Sequence, residues 1–201
     1  MHASLRRRLV SSALLLMVIP LITGFLTGCV SGAKVDRMVV GIPGGEPVAG
    51  SAVANEKLRQ SVSVGGVEGG RETYRLWVSQ ISNENFKEAL SKSLKNSGIE
   101  SENPDQARYV LSASIRKVDQ PWFGFDMTVD TVISYILTEK SSSKVLLNQE
   151  IAASHTADFT EALYGPSRLR LANEGSAKQN IAKLLSSLQE FDPDRVSTPT
   201  H

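Results

Sequence analysis

The chain has a single cysteine, Cys29, in 201 residues, and three histidines. One thiol cannot close an intramolecular disulfide, so the fold must hold without a covalent staple. Two of the histidines, His2 and His201, lie at the termini. That leaves His155, too little for a metal centre built on imidazoles. Excess charge is missing as well: 22 basic and 21 acidic residues give a formal charge of +1. Nothing in that balance favours a nucleic-acid backbone or an anionic surface. Aromatic residues make up only 6%, so any place where they gather is informative. Long apolar runs are lacking except for Leu9 to Phe25, and no acidic residue occurs before Asp36.

That one run has a recognisable setting. Arg6, Arg7 and Arg8 precede it and small residues follow it. A basic segment, an apolar segment and a small-residue cleavage site define a secretory signal, with the arginines held on the cytoplasmic side. Leu26-Thr27-Gly28-Cys29 then resembles the lipobox of bacterial lipoproteins. The resemblance implies a diacylglycerol thioether on Cys29, removal of residues 1–28 and acylation of the new amine. Two plainer readings are an uncleaved span, since the run approaches the ~20 residues needed, and a buried free thiol. Neither requires Leu-Thr-Gly in front of the cysteine. Without the three arginines, 19 basic residues face 21 acidic ones. Val30 follows Cys29 where an aspartate accompanies inner-membrane retention in such lipoproteins. In a Gram-negative cell the resemblance therefore implies the outer membrane, with the domain facing the periplasm.

The expected organisation is a signal peptide over 1–28, a lipidated N-terminus and flexible tether over 29–56, a domain over 57–191 and a disordered tail over 192–201. "GIPGGEPVAGSAVA" concentrates turn-formers in the tether, although Val35 to Ile42 also fits a short strand. The tail is polar and proline-broken. Within the domain, Leu58 to Val67 reads as a strand ending in glycines. Phe86, Ala89, Leu90 and Leu94 share a helical face, with Ser82 or Asn83 as cap and Gly98 as stop. Tyr109, Leu111, Ala113 and Ile115 alternate with polar residues. So do Phe125, Met127, Val129, Thr131, Ile133, Tyr135 and Leu137, whose opposite face shows Asp126, Thr128, Asp130 and Ser134. "SSSK" turns that strand into "VLLNQEIAA", making a long hairpin. From Pro166 to about Glu190 a helix buries Leu169, Ala177, Ile181, Leu184, Leu185 and Leu188. The fold class that follows is α+β, a two-layer sandwich of an antiparallel sheet with two helices packed on one face.

The spacing "F..AL..SL...G", then "A.YVL.A.I", a long hairpin and an Ala/Leu helix resembles the small YajG-like lipoproteins over roughly residues 58 to 190. It is similar, more distantly, to peptidoglycan-synthase-activator and transport-auxiliary lipoproteins. The resemblance implies an outer-membrane lipoprotein without enzymatic activity, and it brings no functional residue beyond Cys29.

Motifs that carry chemistry are sparse. Gly65, Gly66, Gly69 and Gly70 follow a strand, but neither phosphate-loop nor dinucleotide spacing is present and no lysine follows, so no nucleotide is expected. His155 has Asp158 and Glu161 nearby, yet adjacent Ser154 must point to the opposite face of a strand. Asp126 and Asp130 share a strand face at a separation of about 13 Å, too far for paired carboxylate chemistry. No hexapeptide repeats of an acyltransferase occur. No catalytic residue, metal ligand or cofactor is nominated.

"QPWFGF" is different. Trp122 and Phe123 beside Pro121 and Gly124 form either a core corner or an exposed anchor for an envelope-protein partner, while Phe125 should point into the core. Trp77 in "YRLWVSQI" fits a helix or a packed loop. The expectation is an outer-membrane lipoprotein with a non-catalytic periplasmic domain acting through protein contacts. The alternatives are a carrier or accessory subunit for an apolar ligand or transport machine, and an envelope enzyme such as an acyltransferase or hydrolase.

Overall fold

The computed structural model describes residues 31–41, 55–72 and 79–197. The lipobox with Cys29, and Trp77, lie outside them. Period-two alternation builds most of the domain. Strand β3 (Met127–Glu139) pairs antiparallel with β4 (Val145–Ala157), Met127 facing Ala157 and Ile133 facing Ile151. Ser143 takes the left-handed φ of 57° that closes the hairpin. Strand β2 (Tyr109–Asp119) lies antiparallel on the other side of β3, with Leu111 opposite Leu137. Tyr109, Leu111, Val129, Ile133, Tyr135 and Leu137 all point inward and are fully buried.

Strand β1 (Val62–Glu68) completes the order β1-β2-β3-β4, but it pairs parallel to β2, Val62 with Tyr109. The sheet is therefore mixed rather than antiparallel throughout. The reason is the helix between them, α2 (Asn83–Asn96), which returns the chain to the starting end as a strand–helix–strand crossover. The β1 register shifts between Val64 and Val67. A Cβ on Gly65 would stand 2.6 Å from Val110 Cγ1, so this glycine serves the irregularity and the close strand approach.

Helix α2 starts where expected. Ser82 Oγ accepts from the Asn85 N–H at 3.2 Å. It ends in a Schellman closure, with Gly98 at φ 70°, its N–H on Lys95 O and the Ile99 N–H on Leu94 O, both at 2.9 Å. Phe86, Ala89, Leu90 and Leu94 fill the space over the sheet beside Ile133 and Tyr135.

The second packed helix, α3 (Gly165–Glu190), buries the expected Leu169, Ala177, Ile181, Leu184, Leu185 and Leu188. It also buries Asn173, Glu174, Ser176 and Asn180, which no apolar spacing announces. Several of these side chains form a polar layer against the sheet. Tyr135 Oη donates to Asn180 Oδ1 at 2.9 Å, and Asn180 Nδ2 donates to Ile151 O at 2.9 Å. Thr131 and Ser176 hydroxyls meet at 2.9 Å. Burial pushes the Tyr135 phenol well above the ordinary tyrosine range, so it stays a donor.

Two expected boundaries move. Residues 31–41, placed in the tether, pack on the domain through the short helix α1 (Val35–Met38), with Ala33 and Met38 buried. The Ala33 N–H donates to Gln80 O at 3.2 Å, Lys34 N–H to Glu174 Oε1 at 2.8 Å and Val40 N–H to Ser93 Oγ at 3.0 Å. Within Val35 to Ile42, the described residues 35–41 thus form no strand: burying Met38 and Val39 against both helices outweighs the spacer-like composition around them. At the other end, Asp192 pairs with Lys57 at 2.6 Å and α4 (Pro193–Ser197) follows, so the chain stays attached beyond residue 191.

Candidate functional site

Three connections leave the same end of the sheet: one after β1, described at 69–72 and 79–82, then 120–126 after β2 and 158–164 after β4. The N-termini of α2 and α3 start there too. On this end Trp122 is 97% exposed, Phe123 87% and Phe125 80%, joined by the exposed Leu163 and Tyr164. The core-corner reading of Trp122 and Phe123 therefore gives way to exposure. Phe125 is a correction of a different kind. Strand pairing begins only at Met127 with Ala157, so the pleat that would have turned Phe125 inward does not reach it. Its ring instead meets Phe159 edge-on, centroids 5.9 Å apart at 67°.

These loops are tied down from below. Arg168, buried in the first turn of α3, donates through Nη1 to Ala162 O at 2.5 Å and Leu163 O at 2.9 Å. Its Nη2 reaches Gly124 O at 3.2 Å, and the guanidinium lies 5.0 Å from the Phe159 ring centroid. One planar fork thus joins two aromatic loops to a helix. Gln120 Nε2 donates to Asn173 Oδ1 at 2.7 Å and to Ser79 O at 3.1 Å, and Asn173 Nδ2 donates to the same carbonyl. Asp126 Oδ1 accepts from the Phe159 N–H at 3.2 Å. None of Arg168, Gln120 or Asn173 stands out in the sequence, because a lone polar residue in a helix or loop carries no periodic signal.

The other candidates are used structurally. His155 lies on the inner face of β4 over Gly175, where a Cβ would come within 1.9 Å of its Cδ2. Its Nδ1 is 3.2 Å from Gln179 Nε2. Asp158 accepts from the Thr160 hydroxyl and amide, which hold its carboxyl below the usual range. Glu161 Oε1 accepts from the Asp158 N–H at 3.1 Å. Asp130 stands on the strand pair Asp130–Ser154, away from Asp126 on its loop. Among the described residues no group of three or more His, Cys, Asp or Glu side chains could hold a metal ion. None of their helices is long and apolar enough to cross a membrane. A cleft of about 720 Å³ opens beside the same end, between Arg71, Gln80 and Ile81 on one wall and Ile115, Val118 and Leu169 on the other. Of the glycines singled out earlier, Gly69 borders it: at φ 81°, it brings its backbone so close to Ile115 that a Cβ would meet the Ile115 carbonyl oxygen.

A Xanthomonas campestris protein described by the family model DUF330 is 14% identical, with a TM-score of 0.50 over 68% of this chain and 90% of that one. The two share a fold. A candidate lipoprotein of Caulobacter crescentus gives 16% identity and a TM-score of 0.48, covering 70% of this chain and 95% of its own. The PelC dodecamer of Paraburkholderia phytofirmans gives 20% and 0.44, covering 72% and 94%. No protein-family model and no curated protein sequence matches this chain.

Proposed function

We propose that this chain is a lipid-anchored protein of the bacterial outer membrane whose periplasmic domain works by contact rather than by turnover. One observation carries the contact reading: Trp122, Phe123 and Phe125 stand in solvent on loops that Arg168 and Gln120 hold in place. Exposing three large rings forfeits their burial energy, about 1.5–3 kcal/mol for a side chain of this size. A fold that then fixes their loops with a buried arginine is built to present them. The residues with catalytic potential support the same reading, since His155 rests on Gly175 and Asp126 and Asp158 are engaged in loop hydrogen bonds. The anchor half of the proposal rests on the lipobox resemblance at Cys29 and on the YajG-like spacing.

The test of the anchor is Cys29→Ser expressed in intact cells. Loss of the acyl mass from the N-terminal peptide and release of the protein, or accumulation of uncleaved precursor, is expected. A cleaved Cys29→Ser protein that still sediments with membranes contradicts the proposal, because several acyl chains are what make such attachment stable.

A further inference from the structure

We infer that the aromatic end of the domain lies against the bilayer that receives the lipid, with Trp122, Phe123, Phe125, Leu163 and Tyr164 in the interfacial layer. The inference rests on the lipoprotein reading above and names what its contact surface touches. The direction of the N-terminal segment is the deciding observation. Going backwards along the chain, the Lys34 N–H sits on Glu174 Oε1, and Ser31 Oγ accepts from Arg170 Nη1. Glu174 and Arg170 are one helical turn apart, so three residues of chain move one turn towards the start of α3. Ala33 gives the same heading from the other helix: its carbonyl accepts from Asn85 Nδ2, in the first turn of α2. Both helices begin at the aromatic end. Cys29 is two residues further on, and two residues span at most about 7 Å. The lipid is therefore delivered to the same end of the molecule as the exposed rings.

The chemistry of that end matches a membrane interface. Trp and Tyr partition to the headgroup boundary, where an apolar ring and a polar edge are both satisfied, and Phe and Leu insert their apolar side chains beside them. Its acids, Asp126, Asp158 and Glu161, each accept a hydrogen bond from the loop backbone. Arg71, Arg116 and Lys117 line the adjacent cleft, so acids and bases are mixed at this end and give no one-signed attraction to headgroups. The contact is apolar insertion, little affected by salt. The lipid holds the protein, and the rings set its tilt. A soluble protein partner would not need its binding rings at the anchored end, where the bilayer blocks approach.

The experiment uses the acylated protein in phosphatidylethanolamine/phosphatidylglycerol vesicles containing lipids brominated near the headgroup. The chain has two tryptophans, so Trp77→Phe isolates the Trp122 emission. If that variant folds poorly, wild type with Trp122→Phe as its blank gives the same readout. Expected is a blue shift and loss of most Trp122 emission, unchanged by salt. A tryptophan introduced by Ser142→Trp at the opposite end, with Trp77 and Trp122 replaced by Phe, should keep its emission. Unquenched Trp122 on protein that still cosediments overturns the inference and leaves the anchor standing. So does unquenched Trp122 that crosslinks to another protein in cells, which would assign the rings to a partner. Protein that fails to cosediment and lacks acyl mass overturns the lipoprotein reading instead.

Discussion

The two ends of the sheet are built from opposite materials. At the far end, the β3–β4 turn and the connection before β2 are laced by polar contacts. Arg108 reaches Glu139 at 3.1 Å, Ser142 Oγ donates to Glu139 Oε2 at 2.8 Å, and Lys140 Nζ donates to Pro104 O. The Ser142 hydroxyl and Arg108 hold Glu139 below the usual carboxylate range. Such contacts are exposed and individually weak, and they suit a surface that stays wet. At the near end, the loop tips carry rings, and the hydrogen bonds are buried beneath them on Arg168, Gln120 and Asn173. One end is finished for water. The other is finished for contact, with its polar groups used to fix the platform.

Breaking the body between the ends should cost most. Ile133 is fully buried midway along β3, and Ile133→Asp places an unpaired charge in the core. Several kcal/mol of stability should be lost in denaturant unfolding. Thr128→Asp on the outer face, where the Thr128 and Thr156 hydroxyls meet at 2.8 Å, should cost far less. Equal losses would mean that the faces of β3 are reversed.

Arg168→Ala removes the fork that ties the platform together. Three carbonyls, on Gly124, Ala162 and Leu163, lose their donor. A loss of about 3 kcal/mol is expected from charge-assisted hydrogen bonds, with proteolytic nicking appearing first at 120–126 and 158–164. Removing Arg108 at the other end should barely change the melting temperature. A reversal of that ranking would refute the contrast between a built platform and a solvated end.

The strand layout was legible because one face of β2, β3 and β4 is buried, and burial writes period two into a sequence. The cap at Ser82 and the stop at Gly98 were legible for a local reason: a hydroxyl suits the first free N–H groups of a helix and a glycine suits the left-handed φ of 70° that ends one. The parallel pairing of β1 was not, since periodicity says which face is inward but nothing of which way a neighbour runs. Nor did composition show that residues 31–41 dock: Ala33, Met38 and Val39 are too few and too irregular to make a pattern. At the candidate site the rings of "QPWFGF" were visible as a cluster, but their direction was not. Phe125 continues the sequence alternation of β3, but the pairing stops at Met127. Arg168 was invisible because its partners are backbone carbonyls of loops, which carry no residue code.

Gly175→Ala probes the junction between β4 and α3 just below the platform. The new Cβ would meet the His155 ring at 1.9 Å, so the ring must swing out and abandon Gln179. A cost of about 1–3 kcal/mol is expected for such overpacking. His155→Ala in the same chain should restore the loss, helped by the ~1 kcal/mol helix preference of alanine over glycine. Additive losses would show that the backbone, not the ring, resists the methyl group.

Glu174 offers a smaller, pH-dependent effect beside the N-terminal segment. Burial pushes its carboxyl above the ordinary value, opposed by the Lys34 N–H, Arg170 and Arg37. The folded chain therefore binds this proton more tightly than the unfolded chain. Its contribution is complete below the ordinary carboxylate value and is lost as pH rises through the elevated one. Glu174→Gln keeps an oxygen for the Lys34 N–H and removes the titration. The melting temperature of wild type minus that of the variant should accordingly fall as pH rises across that window. A difference that rises instead would mean that the arginines outweigh burial.

The least change of all is expected from the double substitution Trp122→Ala/Phe123→Ala. Rings that are almost fully exposed have little burial to forfeit, and surface changes of this kind usually stay within about 0.5 kcal/mol. Gln120 and Gly124, which flank the pair, keep their bonds to Asn173 and Arg168. The loop should therefore hold its shape without the rings. A near-constant melting temperature, set against the large loss from Arg168→Ala, would separate what presents the surface from what the surface is. The acylated double variant should remain membrane-bound, since the chains on Cys29 carry the attachment, while its domain samples a wider range of tilts in oriented bilayers. A large drop in stability would place the two rings in a packed core, and the contrast between the two ends would then collapse into an ordinary difference between a buried corner and a turn.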